Sequence, residues 1–232
     1  MFKVCNFAIQ IIEMAYILNL ETATKNCSVS IANNGIVLAS REIATESFSH
    51  AEKLHVFIEE CLQEANLTFK NINAVAVSKG PGSYTGLRIG VSAAKGLCYA
   101  LSVPLISIDT LELLAKKITI EKGIIVPMID ARRMEVYTAF FDKNYIKIFE
   151  TEAKVIDGNS FQEVQESMHL VGDGAIKLKS VLTDTKFTFY DEILYPSALE
   201  MCQLSFEKFK KSDFEDVAYF EPFYLKDFVL NK

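Results

Sequence analysis

Apolar and polar positions alternate along the first forty residues and then give way to a spacing of three and four. Tyr16–Glu21 is an apolar run closed by an acid, and Cys27–Ala32 alternates with the period of a strand. Asn33-Asn34-Gly35 is a tight-turn signal, so Ile36–Arg41 reads as the returning strand. A helix follows. Ser49 and Glu52 stand at capping-box spacing, and Leu54, Phe57, Ile58, Cys61, Leu62 and Ala65 recur at helical intervals. Asn73–Ser78 is short and nearly all apolar, as suits a strand buried in a sheet. Beyond a Gly-rich turn the pattern predicts a second helix from about Tyr84 to Leu101, then a strand at Val103–Ile108.

The pattern then restarts. Gly123–Asp130 predicts a strand ending in an acid, Ala131-Arg132-Arg133 a turn, Met134–Phe141 the return and Tyr145–Ile156 a third strand. Helices are predicted near Ser160–Ser167 and Ser197–Lys211, flanking short strands at Met168–Val171 and Phe187–Tyr190. Two successive βββαβα units predict an α/β protein with mixed sheets flanked by helices. That is the layout of the actin-like ATPase (ribonuclease-H-like) fold, with two similar lobes around a ligand cleft. The expected lobes are residues 14–108 and 109–232, the final segment being able to pack back on the first lobe. Residues 1–13 read as a non-structural leader or start-site artefact, because Met14 stands just before the first convincing strand.

The segment Ser78–Arg88 reads SKGPGSYTGLR, at a strand-to-helix turn. Backbone N–H groups around Gly80, Gly82 and Ser83 can face an anion there, aided by the helix dipole. The spacing G-x-G-x-x-x-G matches neither the dinucleotide fingerprint nor a Walker loop, so a plain tight turn ranks ahead of phosphate binding. Inside the helix, Gly86, Gly90 and Ala94 share a face and Gly96 points elsewhere. An interior helical glycine costs about 1 kcal/mol against alanine, so three of them call for close approach of another backbone. Packing within the lobe and contact with helices of another chain account for this equally well.

Composition narrows the function. A net charge of −6 argues against a protein that grips nucleic acid unaided. Five scattered cysteines without C-x-x-C spacing read as buried free thiols in a reducing cytoplasm. No apolar run approaches the roughly 20 residues that span a bilayer, so no membrane is expected. The three histidines, His50, His55 and His169, are not spaced as ligands, and no nucleophile elbow is present; neither a catalytic set nor a metal site is expected. Candidates for vestigial nucleotide or phosphate loops are Glu21, Thr22 and Thr24 in the first hairpin, Gly80, Gly82 and Ser83, Asp130 in the second hairpin, and Gly172 and Gly174. Both hairpin turns lack the glycine that would touch phosphate.

Five segments together resemble the TsaB family, in the right order: ILNLETAT at 17–24, Lys79–Arg88 with its helix, Asp130–Tyr137, Gly172–Ala175 and Pro222–Lys226. The run KGPGSYTGLR is the most specific, and Lys226 departs from the family's usual arginine. The resemblance implies a non-catalytic subunit of the bacterial complex that moves threonylcarbamoyl from threonylcarbamoyl-AMP to the adenosine 3′ of the anticodon in tRNA. It implies pairing with, and activation of, a catalytic TsaD-type paralogue, help from a TsaE-type ATPase, and contact with tRNA through the complex. ATP or ADP and the metal are then expected on those partners, with no cofactor on this chain. A homodimer is expected when the chain is alone, in the cytoplasm. The paralogue's two metal histidines fall here on Thr110 and Leu114, which cannot replace them. On this reading Phe57, Ile58, Gly86, Gly90 and Ala94 are the interface candidates, joined by Arg88, whose expected partner is a carboxylate. The competing reading is an independent actin-like ATPase or small-molecule kinase, with Glu21 or Asp130 as its acid. A stand-alone RNA-binding module is disfavoured by the acidic charge and the lack of aromatic–basic platforms.

Overall fold

The computed structural model describes residues 14–45 and 50–226. The leader, Cys5, the Ser49 cap and the last residues of the tail lie outside the described residues. The first lobe opens with β1 (Tyr16–Glu21), β2 (Asn26–Asn33) and β3 (Ile36–Ala44), followed by α1 (His50–Glu64), β4 (Ala74–Gly80), α2 (Tyr84–Leu101) and β5 (Leu105–Asp109). α3 (Thr110–Ala115) leads into β6 (Ile124–Asp130), β7 (Glu135–Phe141), β8 (Lys147–Val155), β9 (Met168–Val171), α4 (Asp173–Ile176), β10 (Phe187–Tyr190) and α5 (Ala198–Lys210).

The strands form two five-stranded sheets, ordered β3-β2-β1-β4-β5 and β10-β9-β6-β7-β8. Counted from opposite ends, the two orders are the same. In each, the first strand pairs antiparallel with the second and parallel with the fourth: Leu20 stands opposite Val29 and Val77, and Ile125 opposite Phe141 and His169. The expected actin-like, two-lobed α/β architecture is therefore present, and the repeat seen in the sequence is a repeat of topology.

Alternation along β1 decides what each face of the first sheet meets. Leu18 and Leu20 point into a core with Leu54, Phe57, Ile58 and Cys61 of α1 and Val91, Ala94 and Cys98 of α2. Ile17, Ala74, Ala76, Ile106 and Ile108 line the other face and are covered by Ala198 and Met201 of α5. The helix α5 thus packs on the first lobe although it comes last in the chain. α3 sits at the junction, with Leu113 in that α5 layer and Leu111 and Leu114 in the core of the second sheet. After α5 the chain runs along the free edge of β5, where the Glu215 amide donates to Leu105 O at 2.9 Å and so covers an otherwise open strand.

The structure differs from expectation at residues 160–167, at α3 and at the four-residue α4, which stands where the sequence suggested a loop. Residues 160–167 do not form a helix; successive turns occupy 158–163. Phe161 sits at φ +68°, which interrupts helical backbone, and Asp157 Oδ1 instead accepts from the Asn159 amide at 3.0 Å and the Ser160 hydroxyl at 3.0 Å. The six-residue α3 was not predicted; Asp109 caps it, accepting from the Leu111 and Glu112 amides. Cys27, Cys61, Cys98 and Cys202 are buried and free, and burial pushes the first three thiols up to about 11, which leaves them unreactive. Among the described residues no helix is long and apolar enough to cross a membrane.

Candidate functional site

The Gly-rich turn between β4 and α2 is filled by the chain's own atoms. The Ser83 amide donates to Ala23 O at 2.6 Å, and the Gly80 amide donates to Thr110 Oγ1 at 3.1 Å. A side chain at Gly82 would strike Ala23, and one at Gly80, where φ is +112°, would meet Phe223 O at 2.7 Å. Ser83 caps α2 by accepting from the Gly86 amide at 3.3 Å. Two amides of the turn are thus already taken by oxygens of the chain itself.

The hairpin β1–β2 is the object these glycines accommodate. Thr22, Ala23 and Thr24 are buried, and Thr22 Oγ1 donates to Gly86 O at 2.8 Å. Glycine at 86 and at 90 is required because a Cβ at either position would overlap Thr22. Thr24 O meets Nε2 of buried His50 at 2.8 Å, tying the hairpin to α1 as well. Glu21 is fully buried at the strand end. Its Oε1 accepts from the Ala23 amide at 2.6 Å, and its Oε2 has no hydrogen-bond partner among the described residues. Desolvation pushes this carboxyl up to about 7.

These contacts correct the interface assignment. Phe57, Ile58, Gly86, Gly90 and Ala94 are all buried, facing their own sheet and hairpin, and present no surface to another chain. Arg88 is exposed, and within the chain its contacts are aromatic, with no carboxylate of its own paired to it among the described residues. The guanidinium lies 4.0 Å from the centroid of the Tyr84 ring, and Nε donates to the Tyr224 hydroxyl at 3.2 Å. The surface that α1 and α2 do present is a groove of about 410 Å³ lined by His55, Ile89, Ser92, Ala93, Gly96 and Leu97. Gly96 is the informative residue: a Cβ built there meets nothing within 4 Å, so no neighbour inside the lobe explains it. On the same side of α2, Tyr99 is 85 % exposed.

The tail completes this face. Lys95 Nζ donates to Ala218 O at 3.1 Å and Phe220 O at 2.9 Å, and the Phe223 amide donates to Lys79 O at 2.7 Å. Lys226, the last described residue, pairs with Glu135 of the second lobe. In that lobe, Asp130 pairs with Lys177 and accepts from the Arg132 amide at 2.8 Å. Gly172 (φ +113°) and Gly174 allow their loop to press against Met128, where a side chain at either position would collide with that backbone. The sequence-predicted loop residues thus lie in two separate clusters. Glu21, Thr22, Thr24, Gly80, Gly82 and Ser83 gather at the first hairpin, while Asp130, Gly172 and Gly174 gather at the second.

A family model described as TsaD, tRNA N6-adenosine threonylcarbamoyltransferase, matches residues 41–225. The Escherichia coli tRNA threonylcarbamoyladenosine biosynthesis protein TsaB is 31% identical over 222 residues, spanning 92% of this chain and 95% of that protein. The chain belongs to the TsaB family. A Bacillus thuringiensis tRNA N6-adenosine threonylcarbamoyltransferase is 35% identical over 107 residues, 40% of this chain and 31% of that enzyme, so the TsaB-family chain carries a segment akin to a transferase. YeaZ from Pseudomonas aeruginosa superposes with a TM-score of 0.80 at 23% identity, covering 91% of this chain and 100% of that one, which establishes the shared fold. In this TsaB-family member, Thr110 and Leu114, the positions that the sequence reading set against the paralogue's metal histidines, both make contacts within the chain. Thr110 accepts from the Gly80 amide, and Leu114 is buried against Gly172. Sequence reasoning set Gly96 on a separate face of the helix without naming it as an interface residue, and it missed Ser92 and Ala93. The available signal was small residues at i, i+4 spacing on the face opposite Gly90 and Ala94.

Proposed function

We propose that this chain is the non-catalytic partner subunit of a complex that transfers threonylcarbamoyl to the adenosine 3′ of the anticodon in tRNA, and that it works by pairing with, and activating, a TsaD-type catalytic paralogue. The observation that carries the reading is the outward face of α2. Ser92, Ala93 and Gly96 are small, they border an open groove, and Gly96 carries a helix penalty of about 1 kcal/mol that nothing inside the lobe offsets. A facing helix pair repays that penalty by packing backbone to backbone. The match of residues 41–225, α1 and α2 included, to the TsaD family model argues for a homologous helix pair as the occupant, because related chains pair through matching surfaces about a pseudo-twofold axis.

The isolated chain is proposed to bind no nucleotide and to catalyse nothing. In support, the Gly80 and Ser83 amides bond to the chain itself, Glu21 is desolvated, and Asp130 is paired with Lys177. ATP or ADP and the metal then belong to the TsaD-type and TsaE-type partners, tRNA is met through the complex, and the cytoplasm is the place of action. Without the paralogue, the same α1–α2 face supports a homodimer.

Co-purification tests this. Ser92→Arg with Gly96→Arg places two long cations in the groove and is expected to abolish both the complex with the paralogue and the homodimer, with the thermal midpoint not lowered, since arginine favours helix over glycine. Co-elution of the double variant at the wild-type ratio sinks the proposal. Threonylcarbamoyl transfer to tRNA by the chain alone sinks the non-catalytic part of it.

A further inference from the structure

Because the two sheets share one strand order, the β1–β2 tip and the β6–β7 tip are structural counterparts. Their environments are opposite. Thr22, Ala23 and Thr24 are buried, the first two beneath α2 and the last against His50 of α1. Arg132, Arg133 and Met134 stand exposed, since the second lobe has the four-residue α4 where the first has an 18-residue helix. Both arginines also occupy left-handed backbone, φ +74° and +50°. Tight hairpins with such backbone favour Asn and Gly, so the turn itself does not call for arginine.

Nor do the neighbouring acids call for it. Asp130 is taken by Lys177 and by the Arg132 amide, Glu135 by Lys226, and Asp173 Oδ1 by the Asp130 amide at 3.0 Å. Neither guanidinium has a hydrogen bond or ion pair among the described residues. Four cations (Lys177, Lys226, Arg132, Arg133) thus face three acids (Asp130, Glu135, Asp173), on a chain whose overall charge is −6.

We infer that the Arg132–Arg133 tip is an anchor for the sugar–phosphate backbone of RNA. The inference rests on the tRNA-modification reading above and deepens it. Two adjacent, unpartnered guanidiniums suit consecutive phosphodiesters, each of which accepts a forked pair of N–H donors. An otherwise acidic surface keeps such a tip from gripping RNA unaided, so it positions tRNA only once the complex has assembled.

The test uses the full chain in complex with its TsaD-type paralogue. Arg132→Ala with Arg133→Ala is first checked for melting temperature and co-elution, both expected unchanged. Binding of labelled tRNA is then measured by anisotropy across a KCl series. The expected result is affinity lower by roughly 3- to 10-fold near 0.1 M salt, with the slope of log K against log salt reduced by about 1–2. Arg132→Lys with Arg133→Lys keeps the charge and is expected to restore the slope. Unchanged affinity and slope in the alanine variant overturn the inference. So does loss of co-elution by a folded alanine variant, which would give the tip to carboxylates of a protein partner. Failure of the wild-type chain to assemble with the paralogue sinks the functional reading, and this inference with it.

Discussion

Two glycines of α2, Gly86 and Gly96, make opposite predictions from one helix. At Gly86 a Cβ would fall far inside contact distance of Thr22 O, a backbone atom, with Thr22 C at 3.3 Å. Relief requires the β1–β2 hairpin to move, which also weakens the Thr22 Oγ1–Gly86 O bond of 2.8 Å. Overpacking of this kind costs about 1–3 kcal/mol and a lost hydrogen bond about 1 kcal/mol more, against a helix-propensity gain of about 1 kcal/mol for alanine. Gly86→Ala should therefore destabilise by about 1–3 kcal/mol, a fall in Tm of roughly 2–12 °C for a chain of this size. At Gly96 the added methyl meets nothing within 4 Å, so only the propensity remains. Gly96→Ala should stabilise by up to about 1 kcal/mol, a rise of roughly 2–4 °C.

Thermal melts by circular dichroism, with urea titrations on the same samples, measure both. If Gly86→Ala proved as stable as wild type, the hairpin would not be seated on α2 as described. If Gly96→Ala melted lower than wild type, that glycine would have a neighbour within its own lobe, and no external partner would be needed to account for it.

Further predictions concern charge and the tail. A carboxyl raised by burial from 4.5 to about 7 is held protonated by the fold, so it favours the native state at low pH and loses that advantage as pH climbs from about 4.5 to 7. Glu21→Gln should thus gain stability over wild type at pH 8 relative to pH 5, by up to about 3 kcal/mol; parallel urea curves at the two pH values would contradict the buried, proton-retaining Glu21. Arg88→Ala removes the contact with the Tyr84 ring and the bond to Tyr224, so amide exchange across residues 217–226 should quicken while the rest of the chain keeps its protection; unchanged exchange there would mean that Lys95 and the backbone bonds hold the tail alone.

What the sequence disclosed follows from how local each signal is. Period-two alternation and the Asn34-Gly35 turn specify the β1–β2–β3 meander, and its echo at Ile124–Val155 foretells the second sheet. Helical spacing shows that Gly86, Gly90 and Ala94 share a face, but it does not say what lies beneath them. That depends on Thr22, which is 64 residues from Gly86 in the chain. The small residues Thr22-Ala23-Thr24 were the one available hint, since a glycine face needs a narrow object to receive it. The missing helix near Ser160 turned on Phe161 adopting left-handed backbone, which no apolar spacing announces. α3 was recoverable in principle, because Asp109 and Glu112 stand at capping distance before Leu113 and Leu114.

On the proposed reading, loss of chemistry and gain of a partner are two faces of one packing event. Seating the hairpin on Gly86 and Gly90 draws Thr22 and Ala23 under α2 and turns the Ser83 amide onto Ala23 O, which removes a wall from any phosphate site. The same seating fixes the rotation of α2 about its axis. With Gly90 and Ala94 inward, the 100° step of the helix places Ser92, Gly96 and Tyr99 outward, where a facing chain can reach them. The second hairpin, with no long helix above it, keeps the opposite character: open, cationic and free to meet a phosphate. A duplicated fold has in this way given its first lobe a surface for a protein and its second lobe a tip for RNA.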